Sequence, residues 1–285
     1  MSIKVAGTVV IDDSRAISGT SVTASSFVGT SGTGSLNIPI GTTAQRPTPT
    51  NGMIRMNTTI GYPEWYSSNY ALWIPFSLSR PLPAIGEAFG GGFFAGYISY
   101  AGNGVADHYL IVSPKATGET TAAWDSTAGG STTGATSLYD GATNTAAIPV
   151  NARYVAAQFV KSLSIGGYTD WYLPAKNELE VAYYHLKNVS QDNFSPGTYG
   201  SNANAVPPEE PVSTTYTAAV PAQTSVVAFR VGNTEAFADD YFWSSTETST
   251  TYAWGQGFYS GFPGYQSTNG KTYGGYVRAF RRLAI

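Results

Sequence analysis

The 285-residue chain contains no cysteine. A disulfide framework, a thiolate nucleophile and a cysteine-ligated zinc are therefore excluded, and the fold must hold by packing or by oligomerisation. Charge is scarce too: only 12% of residues are Asp, Glu, Lys or Arg, about half the usual share. Fifteen basic residues face eighteen acidic ones, for a net charge of −3. With no clustered positive charge to meet phosphates, nucleic acid is not an expected partner. No apolar run reaches the roughly 18 residues of a membrane span, so no membrane insertion is expected. The start, "MSIKVAGTVVIDDSRAISG", lacks the long apolar core and cleavage-like site of a signal peptide. The expectation is synthesis in a cytoplasm without use of the general secretory route, as for a particle assembled inside a host cell.

What is present is a 42% hydrophobic content, enough for a real core, and 32 glycines among many Ser, Thr and Asn residues. A surface built from hydroxyls and amides suits β-rich proteins that work outside cells or on particles. Residues 1–35 open with "IKVAGTVVI", which alternates as a strand does. They continue with "AISGTSVTASSFVGTSGTGSL", small-residue segments broken by Gly and Ser. So few large side chains cannot make a core alone, so this segment is either disordered or wound with identical copies. It reads as an attachment and oligomerisation device, with self, as a homotrimer, the expected partner.

Residues 36–79 form the next block. Asn51–Gly52 is a hairpin signal, "MIRMN" alternates, and Trp65, Tyr66, Tyr70 and Trp73 follow. Gly41, Thr42, Arg46, Pro47, Asn51, Gly52, Arg55, Asn57, Thr58, Glu64, Tyr66 and Trp73 match a short β module that recurs in phage tail fibres and other virion proteins. The block resembles that module over about 40 residues, which implies a structural connector, often trimeric, with other virion proteins as expected partners through the N-terminus. "SRPLPAIGE" then reads as a linker.

Residues 80–285 read as one larger domain. "GGGFFAGYISY" and "DHYLIVSPK" read as strands, and "ATGETTAAWDSTAGGSTTGATSLYDGATNTAAIP" as a long loop. Two helices follow. In "VNARYVAAQFVKSL" the predicted face is Val155, Phe159 and Leu163, with Asn151 as N-cap. In "PAKNELEVAYYHLKN" it is Leu179, Ala182, Tyr183 and Leu186, with Pro174 in the first turn. Between the helices, "GGYTDWYLPAKNEL" is followed downstream by "YFWSSTE", "YAWGQGF" and "YVRAFRR". Together these resemble, in order over about 200 residues, the Lcl C-terminal domain family of collagen-like adhesins. That family is akin to the formylglycine-generating-enzyme type of lectin fold and to the major tropism determinant of phages. The resemblance implies an α+β fold: a C-type-lectin-like domain with two helices on a small twisted antiparallel sheet, long loops carrying the binding surface, and a β-rich fibre connector before it.

The stretch from Tyr241 to Phe280 collects Trp, Tyr and Phe among Ser, Thr and Gly, with Glu247, Lys271 and Arg278 its only charges. Trp243, Trp254, the Ser244–Ser245–Thr246–Glu247 turn and Arg278 read as scaffold, as buried aromatics with hydroxyl partners. "GQGFYSGFPGYQSTNGKTYGG" reads as an aperiodic loop too rich in Gly to bury all its rings. Tyr, Ser, Gly and Asn are what recognition loops use. The expected ligand-binding residues are Trp254, Gln256, Phe258, Tyr259, Phe262, Tyr265, Gln266, Asn269 and Tyr273. Packing of the same rings on a neighbouring subunit is the competing reading.

Catalytic chemistry finds little to use. The enzyme branch of the resembling fold needs a cysteine pair. Of the two histidines, His185 reads as a helix-surface residue, and His108 follows Asp107 at a strand start. No G-x-S-x-G elbow occurs. Asp239–Asp240 and Glu209–Glu210 are adjacent pairs whose side chains diverge on a strand, unlike the opposed carboxylates of glycosidases. "GGGFFAG" lacks the βαβ setting of a phosphate loop. No catalytic residue and no metal ligand is assigned, and no enzyme activity is expected. "PPEEPVS" departs from the Glu-Pro-Asn of calcium-dependent lectins at Val212. A structural calcium at Asp239 or Asp240 is the one cofactor the sequence leaves open. The expected protein is a virion fibre, tail or capsid, that binds a host surface glycan or protein through its C-terminal aromatic loop. The alternative is a capsid decoration or head-fibre structural protein without a dedicated receptor.

Overall fold

In the computed structural model, residues 3–5, 8–11, 38–76, 82–127, 129, 132–195, 199–206 and 215–285 are described. The chain divides into two compact units, Met1–Asn37 and Ile38–Ile285. In the first, β1 (Ile3–Val5) and β2 (Thr8–Ile11) pair antiparallel with a register irregularity after Ile3. The Gly- and Ser-broken segment that follows, like Glu209, Glu210 and "PPEEPVS", lies outside the described residues.

The second unit opens with a four-stranded sheet of β3 (Ile40–Gly41), β4 (Ile54–Asn57), β5 (Tyr62–Ser67) and β6 (Leu72–Pro75). β3 runs parallel to β4, and the other pairs are antiparallel. Asn51–Gly52 is a turn, with Gly52 at φ 82°, but it precedes β4 and joins no hairpin. The β4–β5 hairpin turns instead at Thr58–Gly61, where Gly61 holds φ 76°. One face of this sheet buries polar side chains. Glu64, fully buried, takes Arg46 at 2.8 Å and Asn57 at 3.0 Å, with Arg55 at 3.5 Å. The opposite face carries Leu72 and Ile74 into a cluster with Phe94, Tyr97, Ala106 and Val206.

The remaining elements are β7 (Ala88–Phe89), β8 (Gly92–Ile98), β9 (His108–Val112), α1 (Lys115–Gly118), β10 (Glu119–Ala123), α2 (Gly141–Ala147), α3 (Val155–Lys161), α4 (Lys176–Leu186), β11 (Tyr241–Glu247), β12 (Tyr252–Gly257), β13 (Gln266–Gly270), β14 (Gly274–Arg278) and β15 (Phe280–Ala284). They form two sheets rather than one, ordered β15-β9-β8-β7 and β10-β14-β11-β12-β13. The second is mixed, because β11 and β14 run parallel with Phe242 opposite Tyr276. The architecture is α+β with β-rich character and four helices among the described residues. The stretch from Ala116 to Pro149 is not a plain loop. β10 pairs along its whole length with β14, and α2 starts at an Asp140 cap that accepts from Thr143.

α4 has the expected stripe: Leu179, Ala182, Tyr183 and Leu186 are all buried, in one cluster with Leu110, Val112, Phe242 and Phe280. α3 does not. It starts only at Val155, because Asn151 spends its side chain on Arg153 N and its carbonyl on Tyr154 N. Its buried face is Ala156, Ala157 and Val160, packed on Trp171, Trp243 and Val277, with Val155 exposed and Phe159 and Leu163 half-buried.

Candidate functional site: an aromatic surface at the end of the mixed sheet

β11 is buried at every position, so Trp243, Ser244, Ser245, Thr246 and Glu247 are scaffold, though as a strand and not a turn. Trp243 Nε1 donates to Ala122 O at 3.2 Å and Tyr273 O at 3.3 Å. Arg278, also buried, donates to Ser113 O and pairs with Glu119 and Glu235 at 3.0 Å each. Lys271 and Glu247, both buried, meet at 2.6 Å, with the Lys271 ammonium 4.2 Å from the Trp124 ring centre. The second Glu247 oxygen accepts Thr133 N and Gly134 N at 2.6 and 2.8 Å, tying down the segment before α2.

The stretch from Trp254 to Tyr273 is not an aperiodic loop. It is β12, a connection over 258–265 and β13, the two strands paired in register with Gln256 opposite Gln266. This order removes three residues from the expected binding surface. Phe258 is 0% exposed and stacks on Phe237 with ring centres 4.0 Å apart. Gln256 and Gln266 are buried and bond each other at 3.2 Å, and Gln256 also reaches the Tyr216 hydroxyl and Gly264 O. Paired amides across two strands satisfy each other, and the Gly-rich neighbourhood hid that pairing in the sequence. Trp254 is half-buried beneath the Lys176 ammonium, 5.2 Å from its ring centre. Asn269 is half-buried on β13 and caps its own turn through Gly270 N.

The structure does bring Tyr259, Phe262 and Tyr265 together. Phe262 is 49% exposed and meets Tyr259 at 6.0 Å and Tyr265 at 6.2 Å. Two rings that sequence reasoning missed complete the group. Phe194 meets Phe262 at 5.3 Å and Tyr265 at 5.1 Å, and Tyr199 meets Tyr265 at 5.3 Å. Phe194 N donates to Pro263 O, which docks that segment on the turn. No local signal marks Phe194 or Tyr199, because only the tertiary fold brings them here.

The turn that presents these rings is firmly held. Gly264 sits at φ 81°, and a Cβ there would lie 2.9 Å from Tyr216 and 3.0 Å from Tyr183. Such a position accepts glycine and little else. Asp239 accepts both Ser260 N and Ser260 Oγ, and Asp240 accepts Tyr241 N at 2.7 Å. Asp239 therefore serves the turn, and Asp240 the start of β11. Among the described residues no group of His, Asp or Glu is arranged to hold a metal ion. Burial and the neighbouring Tyr265 phenol raise the Tyr259 phenol above its ordinary pKa. Burial and Asp240 do the same for Tyr273, which is 43% exposed. The aromatic surface is thus uncharged at neutral pH: rings with hydroxyl tips, suited to stacking and hydrogen bonding and not to proton transfer.

The two histidines sit on β9 and α4. His108 Nδ1 lies 2.8 Å from Asp107 at the start of β9, against the Tyr100 ring. His185 is half-buried on α4 beside Tyr184. A different titratable group stands out. Glu178, fully buried at the start of α4, accepts the Tyr100 and Tyr172 hydroxyls on one oxygen and Ala175 N and Gly141 N on the other. Burial pushes its carboxyl up to about 7. It lies within the Pro-x-x-x-Glu-Leu motif, which marked the position but not its role.

These features define a β-rich α+β domain with an exposed, uncharged aromatic surface. The sequence model of the Lcl C-terminal domain family matches residues 116–281, and the chain belongs to that family. No curated protein matches it.

Proposed function

We propose that this is a non-enzymatic virion fibre protein whose C-terminal, C-type-lectin-like domain recognises a host surface glycan or protein through Tyr259, Phe262 and Tyr265 with Phe194 and Tyr199. The carrying observation is that group of rings, Phe262 exposed and its neighbours half-buried, on a turn locked by Gly264 and Asp239. Rigid aromatics give large contact area at little entropic cost, and an exposed apolar patch on a monomer marks an interaction site. The order of the two parts supports the fibre: a connector-like sheet at residues 38–76, then the recognition domain. Exposed Ile40, Ile54, Tyr62 and Phe76 on that sheet support self-association as a homotrimer.

Three measurements test the reading. Antibody raised against the chain should label fibres on gradient-purified particles, and particles carrying Tyr259→Ala with Phe262→Ala should adsorb poorly while keeping their thermal stability. Unlabelled particles, or normal adsorption by the double variant, would overturn it. Light scattering should give three times the chain mass.

A further inference from the structure

The rings of the aromatic surface all come from residues 187–273, the stretch between the end of α4 and the start of β14. This stretch is the acidic part of the chain. It carries seven Asp and Glu residues against three basic ones, while the rest of the chain carries eleven against twelve. The three cations are engaged internally. Lys187, buried, donates to Gln191 O and Pro221 O, Arg230 donates to Thr224 O, and Lys271 pairs with Glu247. Lys176, from α4, lies over the Trp254 ring.

We propose that this surface takes a polypeptide partner presenting a Lys or Arg side chain beside an apolar one, with Phe262 and Tyr259 holding the apolar group and Asp240 the cation. The proposal rests on the recognition reading of these rings and narrows its partner to a basic protein segment.

Three observations carry it. First, the amides that a sugar would need are engaged elsewhere. Gln256 and Gln266 are buried against each other, and Asn269 Oδ1 accepts Gly270 N. The most exposed ring of the group, Phe262, has no hydroxyl to offer. Second, a carboxylate stands at the edge of the rings. Asp240 accepts Tyr241 N at 2.7 Å and the Tyr273 hydroxyl at 3.5 Å, both on Oδ1, and is half-buried rather than enclosed. Burial, the Tyr265 and Tyr273 phenols and Asp240 together raise the Tyr259 phenol. The carboxylate is thus within electrostatic reach of the ring that meets Phe262 at 6.0 Å. Asp239, exposed, holds Ser260 beside that same ring. Third, the sign of the charge selects the partner. A negative field over uncharged rings attracts a guanidinium or ammonium, which also gains from an aromatic face. The same field repels phosphate, sulfate and acidic sugars.

The test pans a random peptide library on the full chain and on the full chain carrying Phe262→Ala. Peptides retained by the first and lost by the second should be enriched in Lys or Arg next to an aromatic or aliphatic residue. A synthetic peptide of that sequence should bind more weakly at high salt. Asp240→Asn, which keeps an oxygen for Tyr241 N, should weaken binding about fivefold and flatten its salt dependence, with the melting temperature unchanged. Selection of acidic or uncharged peptides, selection of none, or an affinity untouched by Asp240→Asn overturns the proposal. The recognition reading fails by a different measurement, normal adsorption of particles carrying Tyr259→Ala with Phe262→Ala. Lost adsorption without a preference for basic peptides would therefore strike the partner class alone.

Discussion

β11 and the turn after β12 draw on the same residue types, aromatics among Ser, Thr and Gly, and end up opposite in exposure. Every residue of Tyr241–Glu247 is buried, while Phe262 in the turn is half exposed. The difference lies in partners. β11 is a central strand, with β14 and β12 on its two edges, and its Trp and carboxylate reach distant backbone groups. The turn rests on Tyr183, Tyr216 and Asp239 and meets the rings of Phe194 and Tyr199, yet leaves the Phe262 ring half exposed. Aromatic content alone does not separate core from exposed surface; the number of elements packed around each ring does.

The sharpest way to break the comparison is at Glu247. Glu247→Ala strands the buried Lys271 ammonium and three backbone donors at Thr133, Gly134 and Ala135. Breaking one side of a buried pair costs roughly 3–5 kcal/mol and orphaned donors add to it, so chemical denaturation should show a loss of about 5 kcal/mol or no folded protein. A loss below about 1 kcal/mol, the range of surface ion pairs, would mean that the pair is solvated. Phe258→Ala comes next. It removes a fully buried ring stacked on Phe237 and edge-on to Tyr183 and Phe242. Large-to-small changes of this kind cost roughly 3–5 kcal/mol. Wild-type stability for this variant would return Phe258 to the exposed surface.

The parts legible in the sequence were those set by local period. The α4 stripe of Leu179, Ala182, Tyr183 and Leu186 follows from 3.6-residue spacing, and all four are buried. Trp243 and Arg278 were readable as scaffold because a Trp amid hydroxyls needs backbone partners. The α3 face failed because the side turned inward is the small one, Ala156, Ala157 and Val160, which lets the helix pack on Trp171 and Trp243, partners from elsewhere in the chain. Phe258 and the Gln256–Gln266 pair were misplaced because their partners, Phe237, Tyr183 and Tyr216, come from elsewhere in the chain. Glu178 was visible as a motif residue, yet nothing local shows that Tyr100 and Gly141 converge on it.

Glu178 gives the comparison a pH axis, because it sits on the buried side with no cation bonded to it. Its folded pKa, raised to about 7 from 4.5 chiefly by burial, means that the folded state holds a proton the unfolded chain has released. Stability is therefore greatest below the unfolded value, falls as pH rises from about 4.5 to about 7, and is flat in this respect above it. At 1.36 kcal/mol per unit the fall totals roughly 2–4 kcal/mol. Glu178→Gln can keep one oxygen for Ala175 N and Gly141 N and turn its amide N–H groups to the two Tyr hydroxyls. It should remove that slope from a melting-temperature series across this window, and an unchanged slope would assign the pH dependence elsewhere.

The smallest effect on stability is expected where the effect on recognition is largest. Phe262→Ala removes a half-exposed ring whose contacts are edges of Tyr259, Tyr265 and Phe194. Surface truncations away from caps and ion pairs stay near ±0.5 kcal/mol, so its denaturation midpoint should move little. An aromatic anchor at the centre of a binding patch, by contrast, carries about 2 kcal/mol or more of affinity, so particle adsorption should fall by more than tenfold. Phe258→Ala supplies the control, since its adsorption should fall only as far as its folded fraction does. If the two variants lose adsorption in proportion to lost stability, the exposed rings are packing and not recognition. They would then belong, with β11, to the architecture of the domain or of its contact with a neighbouring subunit.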